Sequence, residues 1–399
     1  MARVAFSPSG LVGEIAEGTT VLDAARRLGV DLDSVCGGRQ ICRRCEVDID
    51  SERVLGCATR VVGPLAVDVP VTSQVHRPVV RKDLDMQAFA LDPRFSLFYV
   101  EIPPGSRVAG ALAGQHGLHG VVEARGLALE EGELTVAVEH RHEGDTAVAS
   151  WPGYVGAAYG VAIDIGSTTV AGHLCDLTTG EVLASAGLMN PQIRFGDDLM
   201  SRVSYVMMNP GSEAELTAAI RGTLGELIDD LLTTIGAPTD RILEVVLVAN
   251  PIMHHIALGY DPTPLGMAPF TLATDQPVRG RATEIGLDLP HAGFYMGPCI
   301  AGHVGADTAA AILAEGPHRS NEVQVLVDVG TNAEIVLGNT EHQFAASSPT
   351  GPAFEGAQIT GGQRATPGAI ERVRIDRSTL EPRFRVIGSE AWSDEPGFG

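Results

Sequence analysis

Gly160-Val161-Ala162-Ile163-Asp164-Ile165-Gly166-Ser167-Thr168-Thr169 is the stretch whose reading decides the fold of most of this chain. A hydrophobic strand runs into an aspartate and then opens a tight turn of glycine and hydroxyl residues. Gly166 lets backbone approach a ligand closely, and the turn N–H groups with the Ser167, Thr168 and Thr169 hydroxyls can cradle phosphate oxygens. Asp164, at the strand end, is placed to hold Mg²⁺ directly or through water. A second copy of the design lies 164 residues further on, in Val325-Leu326-Val327-Asp328-Val329-Gly330-Thr331-Asn332-Ala333-Glu334-Ile335-Val336. One acidic glycine turn is a common structural feature. Two copies imply duplicated lobes that face each other across a phosphate site.

Between the copies the pattern alternates strands and helices. Val170–Leu177 and Glu181–Leu183 read as further strands, separated by the Thr179-Gly180 turn. A helix is expected from Ser212, with Glu215 completing a capping box. Leu216, Ile220, Leu224, Leu227, Leu231 and Ile235 form its apolar face, and Gly236 ends it. Glu244–Val248 is the next buried strand, and the alanine-rich run Gly302–Leu313 reads as another helix.

The N-terminal part has a different character. Cys36, Cys42 and Cys45 lie in C-G-G-R-Q-I-C-R-R-C, and Cys57 follows after a gap of eleven residues. The plant-type 2Fe-2S pattern is C-x₄-C-x₂-C…C, and here the first gap is one residue longer. Gly37 and Gly38 allow tight backbone around a cluster whose sulfides need N–H donors. A structural zinc site prefers two close cysteine pairs and finds one here; a disulfide pair is the third reading. Before this loop, Val21–Leu28 reads as a helix capped by Thr20 and stopped by Gly29, and Val61, Val67, Val69 and Val71 mark later strands. Residues 1–75 are therefore expected to be a β-rich domain with one helix, in the order a β-grasp ferredoxin shows.

Residues 76–155 are read as a linking or middle domain. Pro78, Pro93, Pro103 and Pro104 punctuate it, and Leu134–Val138 looks like a half-buried strand. His140 and His142 could share a side at period two, but with no third ligand in evidence they read as ordinary surface residues and not as a metal pair. Cys175 and Cys299 read as small buried hydrophobes.

Bulk properties narrow the partners. The chain has 399 residues, a formal net charge of −22 and a mean hydropathy of +0.12. So acidic a surface repels nucleic-acid phosphates and anionic lipid, so neither nucleic acid nor membrane is expected as a partner. Lys82 is the only lysine, which excludes a Walker A loop. With neither an apolar leader nor a membrane-length apolar run, a cytoplasmic location is expected; that suits thiolates that must escape oxidation.

The paired hairpins resemble the phosphate loops of the actin/sugar kinase/Hsp70 superfamily, in which two ribonuclease-H-like lobes close on ATP. Together with the cysteine loop, the chain resembles the reductive activators of corrinoid-dependent methyltransferases. Supporting stretches are Asn190-Pro191-Gln192, Gly196-Asp197-Asp198, Ser201-Arg202, Ala249–His255, Ala301–Asp307 and Thr350–Ala357. The resemblance implies a ferredoxin domain over 1–75, a linker over 76–155, a first ATPase lobe over 156–320, and the start of a second over 321–399. Only 71 residues follow Asp328, so the second lobe reads as incomplete: either the gene product is truncated, or the missing half comes from another, downstream polypeptide.

The family's activity would be ATP-dependent reduction of a corrinoid protein from Co(II) to Co(I). Cys36, Cys42, Cys45 and Cys57 would hold the cluster, fed by an electron donor, and Asp164 and Asp328 would position Mg²⁺ and water. Thr168, Thr169, Thr331 and Asn332 would hold phosphate oxygens. Two rivals stand beside this reading: a small-molecule kinase, which needs no cluster domain, and an electron-carrier or docking protein with a remnant ATPase.

Overall fold

The computed structural model describes residues 1–30, 32, 40, 43, 45–50, 52–70, 73, 79–80, 89–124, 127, 131–195, 198–330, 332–350, 368, 370–386, 389 and 391–398. Cys36, Cys42, Thr331, Gly37, Gly38, Gly196, Asp197, Val71 and Pro78 lie outside these residues, as do the Gly351–Ala357 part of the Thr350 motif and Lys82.

The N-terminal domain is a five-stranded mixed sheet in the order 12–15, 2–7, 65–68, 46–49, 52–55. Ala2–Ser7 and Leu65–Asp68 run parallel and the other pairs antiparallel. One helix, Val21–Leu28, buries Val21, Leu22, Ala24 and Ala25 against it. Thr20 Oγ1 accepts the Asp23 N–H, and Gly29 takes a left-handed φ of 73° to end the helix, as the sequence signals predict. Of the valines expected in strands, Val67 lies in Leu65–Asp68, whereas Val61 and Val69 are buried beside the sheet without belonging to it.

The middle domain, whose fold the sequence does not disclose, is a four-stranded sheet in the order 95–102, 132–139, 146–152, 122–123. Helix Val108–His116 covers one face, packing on Val100, Leu134, Val136 and Val138. The other face turns Leu97, Ala137, Ala149 and Trp151 toward Leu243 of the next domain. Gly132–Glu139 is thus buried on both faces and not, as expected, on one. Arg94 ties the junction by pairing with both Glu139 and Glu244. His140 bonds Asp145 and Ser96, while His142 sits in the exposed turn beyond the strand, so the two histidines do not form a metal pair.

The first lobe is a six-stranded sheet in the order 182–189, 169–176, 159–165, 242–249, 293–296, 278–281. Tyr159–Ile165, Ile242–Ala249 and Gly293–Met296 run parallel, with antiparallel strands on both sides. Helix Glu213–Ile235 makes the crossover and lays Leu216, Ile220, Leu224, Leu227 and Leu231 on the sheet. The capping box does not form. Ser212 takes helical backbone angles and its buried hydroxyl caps nothing, so the apolar face must hold the helix. The alanine-rich helix also starts later than the composition suggests, at Ala306, because Ala301–Val304 close a turn first. Cys299 is buried, while Cys175 is half-exposed, contrary to expectation.

The second lobe contributes a three-stranded antiparallel sheet, 324–329, 332–338 and 343–349, and a separate hairpin, 370–375 with 382–386. Trp392 stacks under Arg374 and Arg383, which fastens the tail to that hairpin.

Candidate nucleotide and cluster sites

The first acidic glycine turn joins Tyr159–Ile165 to Thr169–Asp176. Its Gly166 is obligatory, because a Cβ there would lie 2.5 Å from the Thr169 carbonyl oxygen. The turn is clamped from behind. Asn190 Nδ2 donates to the Gly166 carbonyl at 2.9 Å, and Asn190 N donates to that of Thr168 at 2.8 Å. Arg202, fully buried, donates to the Ser167 carbonyl and reaches Gln192 Oε1 and Met253 Sδ. Gln192 is itself fixed by Asn190 Oδ1 and the Leu216 carbonyl. The Asn190 motif and Ser201-Arg202, noted in the sequence only as family likenesses, thus act together to set the shape of the turn.

The second turn joins Gln324–Val329 to Asn332–Gly338. Gly330 N donates to the Asn332 carbonyl at 2.8 Å, and Thr350 Oγ1 donates to the Gly330 carbonyl at 2.6 Å. A Cβ on Gly330 would stand 3.5 Å from its nearest neighbour, so this turn does not demand glycine as the first one does.

Four carboxylates gather at the strand ends. Asp164 and Asp328 come from the two hairpins and Glu334 from the second strand of the second hairpin. Asp307 arrives on the first turn of helix Ala306–Glu315, where its Oδ1 accepts the Thr308 N–H at 2.7 Å. Sequence reading missed Asp307 as a site residue. The signal was Gly305 two residues before it: a Cβ there would sit 2.4 Å from the Ala249 carbonyl, so glycine brings the helix start against the end of strand Ile242–Ala249.

These acids affect one another. The Asp164 carboxyl is pushed up to about 6, first by desolvation among its neighbours and then by the charges of Asp307 and Asp328, although part of the residue remains exposed to solvent. Burial also raises Asp307, with Asp328 adding to it. Burial pushes Glu334 up to about 7 despite a hydrogen bond from Ser347, with Asp307 and Asp328 adding. Uncompensated anionic charge of this kind suits a cation. Among the described residues no three His, Cys, Asp or Glu side chains are close enough to hold one metal ion directly.

The His254-His255 pair is structural. His255 bonds the Pro251 carbonyl through Nδ1 and accepts the Ala273 N–H at Nε2, both within the lobe core. Burial, and then His255, lowers His254 to about 4, so it is neutral.

In the N-terminal domain Cys45 and Cys57 are buried next to one another in the chain's local structure: Gly56 N–H donates to the Cys45 carbonyl at 2.7 Å. A Cβ on Gly56 would stand 3.0 Å from that oxygen and 3.2 Å from Leu32, so the corner is tightly packed. The Gly56 carbonyl also accepts the Leu22 N–H, which ties the corner to helix Val21–Leu28. Two buried thiols in a tight, largely apolar corner fit thiolate ligation of a cluster.

Comparison with known proteins finds family matches for three parts of the chain. A 2Fe-2S iron-sulfur cluster binding domain matches residues 6–65. The RACo middle region matches 159–320, and the C-terminal ASKHA domain of RACo matches 322–396, the two together covering more than half of the chain. The corrinoid activation enzyme RamQ of Eubacterium limosum is 28% identical over 422 residues, spanning 95% of this chain and 66% of that protein. A Methanosarcina barkeri reductase of the Co(II) methylated amine-specific corrinoid protein is 27% identical over 222 residues, 53% of this chain and 40% of that one. The solved structure of a reductive activator for a corrinoid, iron-sulfur protein superposes with a TM-score of 0.64 at 28% identity, covering 97% of this chain and 69% of that one. This chain thus spans about two thirds of RamQ's length and less of the M. barkeri reductase. No helix among the described residues is long and apolar enough to cross a membrane.

Proposed function

Because this chain belongs to the RACo family of corrinoid reductive activators, we propose that it takes part in reducing a corrinoid protein from Co(II) to Co(I), with Mg²⁺ and ATP bound between its two hairpins. The observation that carries the reading is the joining, in one chain, of a ferredoxin-type domain with two buried thiols and a group of four mutually interacting carboxylates beside two glycine turns. A kinase would need no ferredoxin domain. A plain electron carrier would need no such group of carboxylates.

When bound, a 2Fe-2S cluster supplies one electron. Cys36, Cys42, Cys45 and Cys57 are the residues to hold it, and the packing at Gly56 keeps the last two in place. Co(I) lies at low potential, and each 100 mV of mismatch costs about 2.3 kcal/mol per electron, so an energy source is needed. Asp164, Asp307, Asp328 and Glu334 orient a hydrated Mg²⁺ on the nucleotide phosphates. The turn of Gly166, Ser167, Thr168 and Thr169 receives one group of phosphate oxygens, and that of Gly330, Thr331 and Asn332 the other. A cation paired with these carboxylates would relieve the repulsion between the hairpins, and a change in how they close would alter how the corrinoid partner is held.

A second reading, an electron-carrier or docking protein with an ATPase remnant, draws on the second lobe, one face of whose sheet is bare. One assay separates the two. The Co(I) absorbance of an added corrinoid protein is followed with ATP, Mg²⁺ and a chemical reductant, anaerobically. Co(I) that forms only when ATP is present, and is lost in Cys45→Ser and in Asp164→Ala alike, supports reductive activation. Co(I) formation that is indifferent to ATP and to Asp164→Ala favours the carrier.

A further inference from the structure

Between the middle domain and the first lobe lies a cavity of about 540 Å³. That is the size of small-molecule sites, which favour domain boundaries. Its walls come from both domains: Phe95, Glu139, Arg141 and Val148 on one side, Leu243, Glu244 and strand Val278–Arg281 on the other. The charges of the middle-domain wall are already paired. Arg94 bonds both Glu139 and Glu244, and Arg141 Nη2 stands 2.7 Å from Glu139 Oε2. Those of the outer strand are not. Arg279 lies over the Tyr295 ring, its Cζ 4.2 Å from the centroid, and Arg281 donates to the Pro290 carbonyl at 3.1 Å. Neither forms an ion pair among the described residues, and their spacing puts both on one side of the strand. Burial, with Arg281 adding and Asp240 opposing, lowers His291 on the same wall, so it is uncharged. With Glu284 as the third acid, four guanidinium groups face three carboxylates, and this cavity is left with one positive charge in excess in a chain of net charge −22.

Gly293 supplies an independent observation. It lies on the cavity wall, paired across the sheet with Arg281 on one side and Glu244 on the other. Its φ is not in the left-handed region. A Cβ there would meet only the Gly280 carbonyl oxygen, at 3.6 Å, an ordinary contact. Neither backbone nor packing asks for glycine at this place. The missing side chain leaves the floor of the cavity open beside Arg281, and a glycine inside a strand marks places where a ligand approaches closely.

We propose that this cavity binds a small organic monocarboxylate. The carboxylate accepts hydrogen bonds from Arg279 and Arg281, whose planar donors match its two oxygens. The hydrocarbon body lies over Gly293 against Phe95, Val148 and Leu243. A single anionic group answers the single excess charge. Because the walls belong to two domains, the bound carboxylate fastens the middle domain to the first lobe. The proposal stands apart from the redox reading, and its test uses neither nucleotide, corrinoid nor cluster.

Octanoate and naphthoate are titrated calorimetrically into the full chain, beside octanol and naphthyl phosphate. Expected are saturable binding of at least one of the carboxylates, none of octanol, and a melting temperature that rises with the bound carboxylate. Arg279→Gln and Arg281→Gln should each weaken binding about tenfold or more, the scale of losing one hydrogen bond to a charged group. Gly293→Leu, whose side chain fills the floor, should abolish binding without lowering the melting temperature of the free chain. Should Gly293→Leu lower it, the two arginine variants decide alone. Failure of both carboxylates to bind overturns the proposal, as does binding that a stable Gly293→Leu chain retains or that both arginine variants leave unchanged. Tighter binding of naphthyl phosphate than of naphthoate overturns it in favour of a phosphate ligand.

Discussion

The two hairpins of this molecule carry nearly the same residues into opposite surroundings. Val161, Ile163 and Ile165 are at most 2% exposed, while Val325, Val327 and Val329 at the matching places are 48% exposed or more. The strands, the turn and the aspartate are alike; the helix that crosses the first sheet is what differs. A strand's apolar residues therefore state what it requires of its surroundings and not what it receives.

The widest consequence concerns stability. Ile163→Ala should cost about 2–5 kcal/mol, since it opens a cavity under a packed helix. Val327→Ala should change stability by no more than about 0.5 kcal/mol in the isolated chain. Urea midpoints read by amide exchange in each hairpin compare the two, and equal losses would break the contrast. The next effect is on ligand binding. Asp164→Asn should weaken Mg·ATP binding on the order of 100-fold, the scale of losing one placed electrostatic contact. Calorimetry on Asp164→Asn and Asp328→Asn shows whether both hairpins hold nucleotide; an effect confined to Asp164 would make the second a bystander.

Acidity sharpens the contrast between folded and unfolded chain. Asp164 is raised to about 6 from 3.8 and Glu334 to about 7 from 4.5, so the folded cleft keeps protons that the unfolded chain has released. This contribution to stability is therefore fully present below pH about 4 and is lost as pH rises through 6 and 7. Melting temperature should accordingly fall over that window. Glu334→Gln should flatten the upper part of the fall, and Mg²⁺ with a non-hydrolysable ATP analogue should stabilise more at pH 7.5 than at pH 5. Thermal scans at fixed ionic strength would record it. The smallest effect tests what holds the covering helix. Ser212→Ala should cost no more than about 0.5 kcal/mol because its hydroxyl caps nothing, against about 1 kcal/mol for Thr20→Ala, whose cap is made.

Much of this was legible in the chain itself. The cap and stop of Val21–Leu28, the hydrophobic strands around Asp164 and Asp328, and the leucine stripe of Glu213–Ile235 are local patterns, and they fold as their spacing says. Asp307 was not legible as a site residue, because its place depends on how closely Gly305 lets a helix start approach Ala249. Arg202 was visible only as part of a likeness; its contacts with Ser167, Gln192 and Met253 join residues up to 51 positions apart. The middle sheet was opaque for a related reason. Gly132–Glu139 is covered on both faces, by its own helix and by the neighbouring lobe, and no period in the sequence records a neighbour.

By itself, then, the sequence determined the chemistry on offer: thiols in a ferredoxin spacing, and two acidic glycine turns at strand ends. Propensity and periodicity act over a few residues, so they could set those strands, turns and helix faces. Tertiary structure alone decided that Asp164, Asp307, Asp328 and Glu334 crowd together and share their charge, because burial and Coulomb repulsion depend on distance in space. It alone decided that Ile163 is buried and Val327 bare, since what covers a side chain is set by the packing of elements far apart in the chain.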